Sequence, residues 1–495
     1  MNRWYWLGTS ALALACAEES VEPVATAPEL NPLGIYAPLR PEAPLDEARE
    51  ALLRDARKRE ARFLEAAEPG FMLRQSSPSE AEVRAGSYDA EALFQFGAQI
   101  FHHAFTEAEG LGGADVPFPT RFQRGLRGGA ETTSCASCHL RGGAAGAGDA
   151  SGNSFWGGDG ERPATGLSRN ARALTGAGFI ELLAKEMTAE LSGLRESCRL
   201  QAKASASTIT LPLSAKGVSF GQLGCRADGT LDTSKVAGVD ATLEVRPFGW
   251  KGVHRTIRDA VEDELRLHMG LQSSNLVQEL AEVPALIGPN GGEDPDGDGV
   301  VEEISEGQLD VLTSYLALSE VPIVELPQTS LAPVSLWAEG RQLFEQIGCA
   351  SCHVPALELT SSRYSLSSRS GMAELSFDLA LEGAQPKPER SESGKLRVQL
   401  FSDLKRHDLG SKLAEPRADR GVDGALFLTP PLWEIARTRP YLHDGRAPTL
   451  HDAIVAHEGE ASAARDQYVA LGEAGQGPLR VFLVSLTRQR RYAVP

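Results

Sequence analysis

The sequence predicts a mainly α-helical protein built from two similar helical domains in tandem, the first enlarged by long loops and short strands. Three observations carry that expectation. The pentapeptide CASCH occurs twice, at 135–139 and at 349–353. Each copy follows a run of helical periodicity in which Gly and Phe stand four apart: LFQFGAQIF, with Gly97 and Phe101, and LWAEGRQLF, with Gly340 and Phe344. Each copy is answered much later by a second apolar helical run, LDVLTSYLAL at 309–318 and PLRVFLVSL at 478–486.

From the N-terminus onward, each segment has its own reading. MNRWYWLGTSALALAC has one Arg, then an apolar run too short to span a bilayer, then a cysteine. It reads as an export signal over 1–15, with cleavage before Cys16 and acylation of that cysteine. The expected location is the periplasm or cell envelope, as an outer-membrane lipoprotein touching the membrane only through its anchor. Residues 16–45, rich in Ala, Pro and Glu, read as a tether. The first domain is expected over 46–330, opening on a charged amphipathic helix at 46–67, and the second over 331–495. A chain of 495 residues exceeds what one hydrophobic core normally supports. Its net charge of −18 argues against nucleic acid as a partner and suits a small cationic redox protein.

Two cysteines three apart with histidine directly after the second form the attachment pattern of a c-type haem. The thiols Cys135 and Cys138, or Cys349 and Cys352, add across the vinyl groups on one porphyrin edge. His139 or His353 then lies under the ring centre as the axial iron ligand. A Cys₄ zinc site would not need a histidine after each pair, and no βαβ pattern supports a redox CxxC pair. In a small cytochrome c fold the first and last helices cross at a glycine, which is the arrangement the paired runs suggest. Cys198 and Cys225 remain and would pair as a disulfide in an oxidising compartment. The pair would close an insertion (205–246) that reads as short strands, after a glycine-rich loop at 141–160 and before a helix at 256–271. Residues 380–395 read as polar surface loop.

The runs FGWKGVHRTIRDAVEDELRLHMGL, LKRHDLGSKLAEP and TPPLWEIARTRPYLHDGRAPTLHDAIVAHEGEA resemble the bacterial di-haem oxidoreductase family, described as peroxidases or "thiol oxidoreductases", and are similar to dihaem cytochrome c peroxidases. The resemblance covers about residues 85–490. It implies an electron path from a six-coordinate C-terminal haem to the N-terminal haem, where an oxidant such as hydrogen peroxide is reduced. The position matching His457 supplies the distal ligand of the C-terminal haem in the related peroxidases. The residues agree: Thr449 and Asp452 start a helix as a capping box, and its wheel puts His457 on one face with Leu450, Ala453 and Ile454. His443 and His407 are equally readable as ligands or as hydrogen-bonded loop histidines. For the N-terminal iron the sequence offers His102, His103, His254, His268 and Met269, each with a structural reading beside it. If none reaches it, the iron is open, and peroxide chemistry there needs a distal acid or base. Glu181 is the candidate. Trp250 is either core or a relay between the haems.

One motif stands apart. In DPDGDGVVEEIS, Asp294, Asp296 and Asp298 occupy positions 1, 3 and 5 of a calcium loop, and the Val300 carbonyl occupies position 7. Position 12, usually Glu, is Ser305, with Glu303 and Glu306 as nearby substitutes. The expected cofactors are therefore two covalent haems and calcium. Two other functions fit the same motifs: an electron carrier with both irons six-coordinate, or an oxidase or oxygenase of an organic substrate.

Overall fold

In a computed structural model, described over residues 77–113, 122–123, 130–156, 162–275, 277, 294, 296–326, 334–366 and 371–488, two helix crossings organise the chain. The expected signal, tether and helix at 46–67 lie outside the described residues.

The first crossing belongs to helices α2 and α6. Helix α1 (Glu80–Arg84) opens on a capping box in which Ser79 and Glu82 satisfy each other's backbone N–H groups. Helix α2 (Ala90–His102) is capped by Asp89. The short helix α3 (Cys135–Cys138) is the first CxxC itself, capped by Ser134. The long helix α4 (Ala177–Ser205) leads into the insertion, and α5 (Ile257–Met269) follows it, started by Thr256 and stopped by Gly270 at positive φ. Helix α6 (Glu306–Ala317) starts at Ser305, whose hydroxyl takes the Gln308 N–H. A methyl on Gly97 would fall on the Val311 carbonyl and the Tyr315 side chain, so only glycine lets α2 and α6 touch there.

The second crossing repeats this. Helix α7 (Val334–Gln346) ends just before the Cys349–Ser351 turn of the second CxxC. Helices α8 (Leu450–Val455), α9 (Ser462–Ala470) and α10 (Gly472–Leu483) close the chain. A methyl on Gly340 would strike the Pro478 carbonyl and Phe482 of α10. Phe344, Phe401 and Phe482 stack edgewise inside this junction.

Small sheets fill the space between, and they are more numerous than the sequence suggests. Strands β1 (Phe122–Gln123), β2 (Ser154–Trp156) and β3 (Leu167–Arg169) form one sheet. Strands β4 (Ile209–Ala215), β5 (Val218–Cys225) and β6 (Leu231–Asp232) form the expected insertion sheet. The Cys198–Cys225 disulfide pins it to α4. Strand β7 (Ile323–Val324) waits for a partner at the far end of the chain. Beyond the second CxxC come β8 (Leu357–Leu359), β9 (Arg363–Leu366), β10 (Leu375–Asp378), β11 (Glu389–Arg390), β12 (Leu396–Val398), β13 (Arg406–Asp408) and β14 (Leu426–Leu428). They pair as β9–β10, β11–β12–β8 and β13–β14. The polar stretch 380–395 is thus part loop and part edge strand. Finally β15 (Leu486–Thr487) pairs antiparallel with β7.

The larger apolar core gathers Phe101, Phe179, Leu183, Phe220 and Leu312 with Leu357, Tyr364, Val398 and Trp433 from beyond the second CxxC. A smaller core surrounds Phe344, Tyr468 and Phe482. All described residues fall in one compact unit, Lys58–Arg490. The architecture is a helical framework carrying several small sheets. Among the described residues no helix is long and apolar enough to cross a membrane.

Candidate functional site

Both CASCH segments face one cavity. It is open to solvent and walled mainly by apolar side chains such as Leu265, Leu312, Leu428, Pro430 and Ile435. Cys135, Cys138, His139, His353 and His457 all line it. The four motif cysteines are free thiols, although Cys198 and Cys225 are joined. Burial pushes the Cys135 thiol up to about 12 and the Cys349 thiol up to about 11, so neither is a ready thiolate.

Three imidazoles are held alike. Nδ1 of His139 bonds the carbonyls of Gly146 and Arg172, at 3.1 and 2.9 Å. Nδ1 of His353 bonds the Phe401 carbonyl at 3.0 Å, and Nδ1 of His457 bonds the Ala453 carbonyl at 2.8 Å. A carbonyl on Nδ1 fixes the tautomer that leaves the Nε2 lone pair for a metal. Burial lowers all three pKa values and keeps the rings neutral; His353 falls to about 4, helped by His457 beside it. His457 follows the end of α8, whose start is the Thr449–Asp452 box read from the sequence. Leu450 and Ala453 of that helix face inward and His451 faces out. These residues fit a covalently held haem at each motif.

Glu181 requires a correction. It is buried but does not line the cavity. Its carboxylate accepts the first N–H of α5 at Ile257 (2.7 Å) and the Tyr364 hydroxyl (3.1 Å), and pairs with Lys185 at 2.7 Å. One oxygen ties α4 to α5 and to Tyr364 of β9, and the other pairs within α4. Glu264, on α5, lines the cavity and acts on His139; Glu131, Asp263 and Asp419 line the cavity too. His268, one turn later, bridges Glu264 and Glu131; its Nδ1 lies 2.7 Å from the Glu131 carboxylate. Burial opposes charge on His268, but the two carboxylates raise its pKa well above the ordinary value. Burial likewise works against the Glu264 anion, yet His268, His254 and Arg420 bring it down to about 2. The i,i+4 spacing of Glu264 and His268 on an otherwise apolar helix face was the available signal.

The remaining candidates separate cleanly. His254, His268 and Met269 line the cavity, whereas His102 and His103 bond the Ala98 carbonyl and Glu109 away from it. His443 lines it too, stacked on Phe427 at 4.6 Å and pushed by burial down to about 3. His407 lies between Asp403 and Glu460, with the Cys352 sulfur 3.9 Å from Nδ1; burial disfavours its charge, but Asp403 and that sulfur push it up to about 11, and both ring nitrogens meet carboxylates. Trp250 lines the cavity, donates to the Asn170 carbonyl and stands 6.4 Å from the His443 ring. Arg172 lies over Trp250, and among the described residues no carboxylate pairs with it; burial pulls it down to about 10. A desolvated guanidinium of this kind suits an anionic edge on the bound group.

Residues 324–486 match the model of a family described as "Di-haem oxidoreductase, putative peroxidase". Over that segment the chain is similar to the di-haem oxidoreductase family. The matched segment holds Cys349, Cys352, His353 and His457, while the first CASCH lies outside it. No curated protein matches the chain. Among solved structures, hydrazine synthase of Kuenenia stuttgartiensis is 14% identical, over 95% of this chain and 100% of that one, with a TM-score of 0.32. A MauG-like protein associated with microbial copper homeostasis is 15% identical, over 64% of this chain and 90% of that one, with a TM-score of 0.28.

Proposed function

We propose that the protein is an exported di-haem c-type oxidoreductase that reduces hydrogen peroxide with electrons from a small redox protein. The observation that carries this reading is the shared cavity, to which the first motif presents Cys135, Cys138 and His139, the second presents His353, and the late helix presents His457. Cys135 and Cys138, with His139 as axial ligand, would hold one haem. Cys349 and Cys352, with His353 and His457, would hold the other. Bound there, the two groups would supply one-electron transfer and the reduction of peroxide, with electrons passing from the group held by His353 and His457 to the group held by His139. The chain's part is to hold ligands, exclude water and handle protons. Carbonyls on three Nδ1 atoms fix the tautomers. Glu264, backed by His268 and Glu131, is the group placed to move a proton between the peroxide oxygens. Export and lipidation at Cys16 rest on the N-terminal sequence.

One observation favours a second reading. His268 and Met269 also line the cavity, and if either ligates the N-terminal iron the protein is an electron carrier. Protein matured with haem-attachment machinery should weigh two haems more than the bare chain and give a c-type pyridine haemochrome. Its oxidised EPR spectrum should contain one high-spin and one low-spin iron, and peroxide should oxidise a reduced dye. Two low-spin irons and no turnover would select the carrier; turnover of an organic substrate instead would select the oxygenase.

A further inference from the structure

The loop that opens α6 carries three carboxylates against one another, followed by the buried Glu303. Ligand oxygens of Asp294, Asp296 and Asp298 all lie within 4.8 Å of one another. Asp294 is shaped by its own loop, accepting N–H groups from Gly297 (2.8 Å) and Gly299 (3.1 Å), and Asp298 accepts from Val300 (2.8 Å). Asp296 is different. Both of its oxygens are sealed from solvent, and neither has a hydrogen-bond partner among the described residues. Glu303, only 6% exposed, packs over Gly110 and takes the Gln272 N–H at 2.6 Å.

Among the described residues no Lys or Arg forms an ion pair with any of the four. Burial and mutual repulsion push Asp296 up to about 7 and Glu303 up to about 10. An orphaned buried carboxylate is costly unless a cation or a donor meets it. The sequence left two substitutes for the missing twelfth-position ligand, and the geometry chooses between them. Ser305 is spent on capping α6, and Glu306 is taken by Arg258. Glu303 remains, packed over Gly110, and the charges of all three aspartates act on its carboxyl.

We propose that Asp294, Asp296, Asp298, the Val300 carbonyl and Glu303 form a calcium site, with water completing the shell. Hard oxygen donors in this number and charge suit calcium over a transition metal. The ion does more than neutralise a loop. Gln272, whose N–H rests on Glu303, follows directly after α5, and Ser273 bridges to Ile304. Calcium therefore fastens the start of α6 to the end of the helix that carries Glu264, His268 and Met269. The site stands or falls independently of haem.

The test uses the full-length haem-loaded protein, stripped with a chelator and titrated with calcium or magnesium by calorimetry and thermal unfolding. The expected result is one calcium per chain, a calcium-dependent rise in unfolding temperature, and affinity weakened about tenfold or more in Asp296→Asn and in Glu303→Gln. In chelator the same two variants should unfold at a higher temperature than the wild type, since each removes a carboxyl whose ionisation burial penalises. Wild-type protein with no calcium heat and no shift in unfolding temperature would overturn the site, as would undiminished affinity in Asp296→Asn. If neither variant accumulates, the wild-type titration decides alone.

Discussion

A buried histidine is informative only through the atom it leaves unbonded. His457, His353 and His139 each spend Nδ1 on a carbonyl, whereas His407 spends both nitrogens on carboxylates. Replacing His457 with Ala should convert the low-spin signal of the C-terminal haem to high spin in the EPR spectrum, with haem content unchanged. Glu264→Gln should lower peroxide turnover about a hundredfold, the scale of a lost general acid or base. Glu181→Gln should leave turnover nearly unchanged but cost roughly 1–3 kcal/mol in denaturant unfolding, because its bonds join two helices. Lys251 offers a pH signature. It is fully buried beside the Gly424 carbonyl and Glu415, and burial pulls its pKa from 10.5 down to about 7. Below pH 7 both folded and unfolded chains carry that proton and the folded state bears the cost; above 10.5 neither does. Its contribution to stability therefore improves as pH rises from about 7 to 10.5. That slope should be present in wild-type unfolding curves and missing from Lys251→Met.

At the level of helices and strands, much was readable because local rules suffice. Gly97 and Gly340 announced two close crossings, and Thr449 with Asp452 announced a helix start. Cys198 and Cys225 were the pair left once the motifs claimed the others, and they are joined. What could not be read depends on distant partners. Glu131 and His268 meet from opposite ends of the first half, and nothing local in ELRLHMGL marks that contact. Strands of two to four residues, such as β11 and β13, are too short to alternate visibly and exist only through their pairing. Glu181 misled because a carboxylate beside Arg169 and Asn170 in sequence points to the helix behind the cavity rather than into it. Gly340→Val should cost about 3 kcal/mol in denaturant unfolding, as its side chain must displace the Pro478 backbone. Removing the disulfide with Cys198→Ser and Cys225→Ser should cost about 3 kcal/mol for a loop of this length, with hydrogen exchange rising first in β4–β6.

Across the whole molecule, the two halves are laced together rather than set side by side. Arg488 pairs with Glu320 and donates to the Ala144 carbonyl, and Trp337 donates to Ser485 next to the β7–β15 ribbon. The Gly97 crossing adds a matter of timing. Helix α2 lies before the first CASCH, but its mate α6 comes roughly two hundred residues later; at typical synthesis speeds that gap lasts on the order of ten to forty seconds. The second CASCH repeats the pattern, with α10 arriving last. If haem is attached at the two motifs as proposed, each pair of thiols would be reachable by an attachment enzyme well before its enclosing clamp can shut, and the interval between partner helices would set the window in which that enzyme must work.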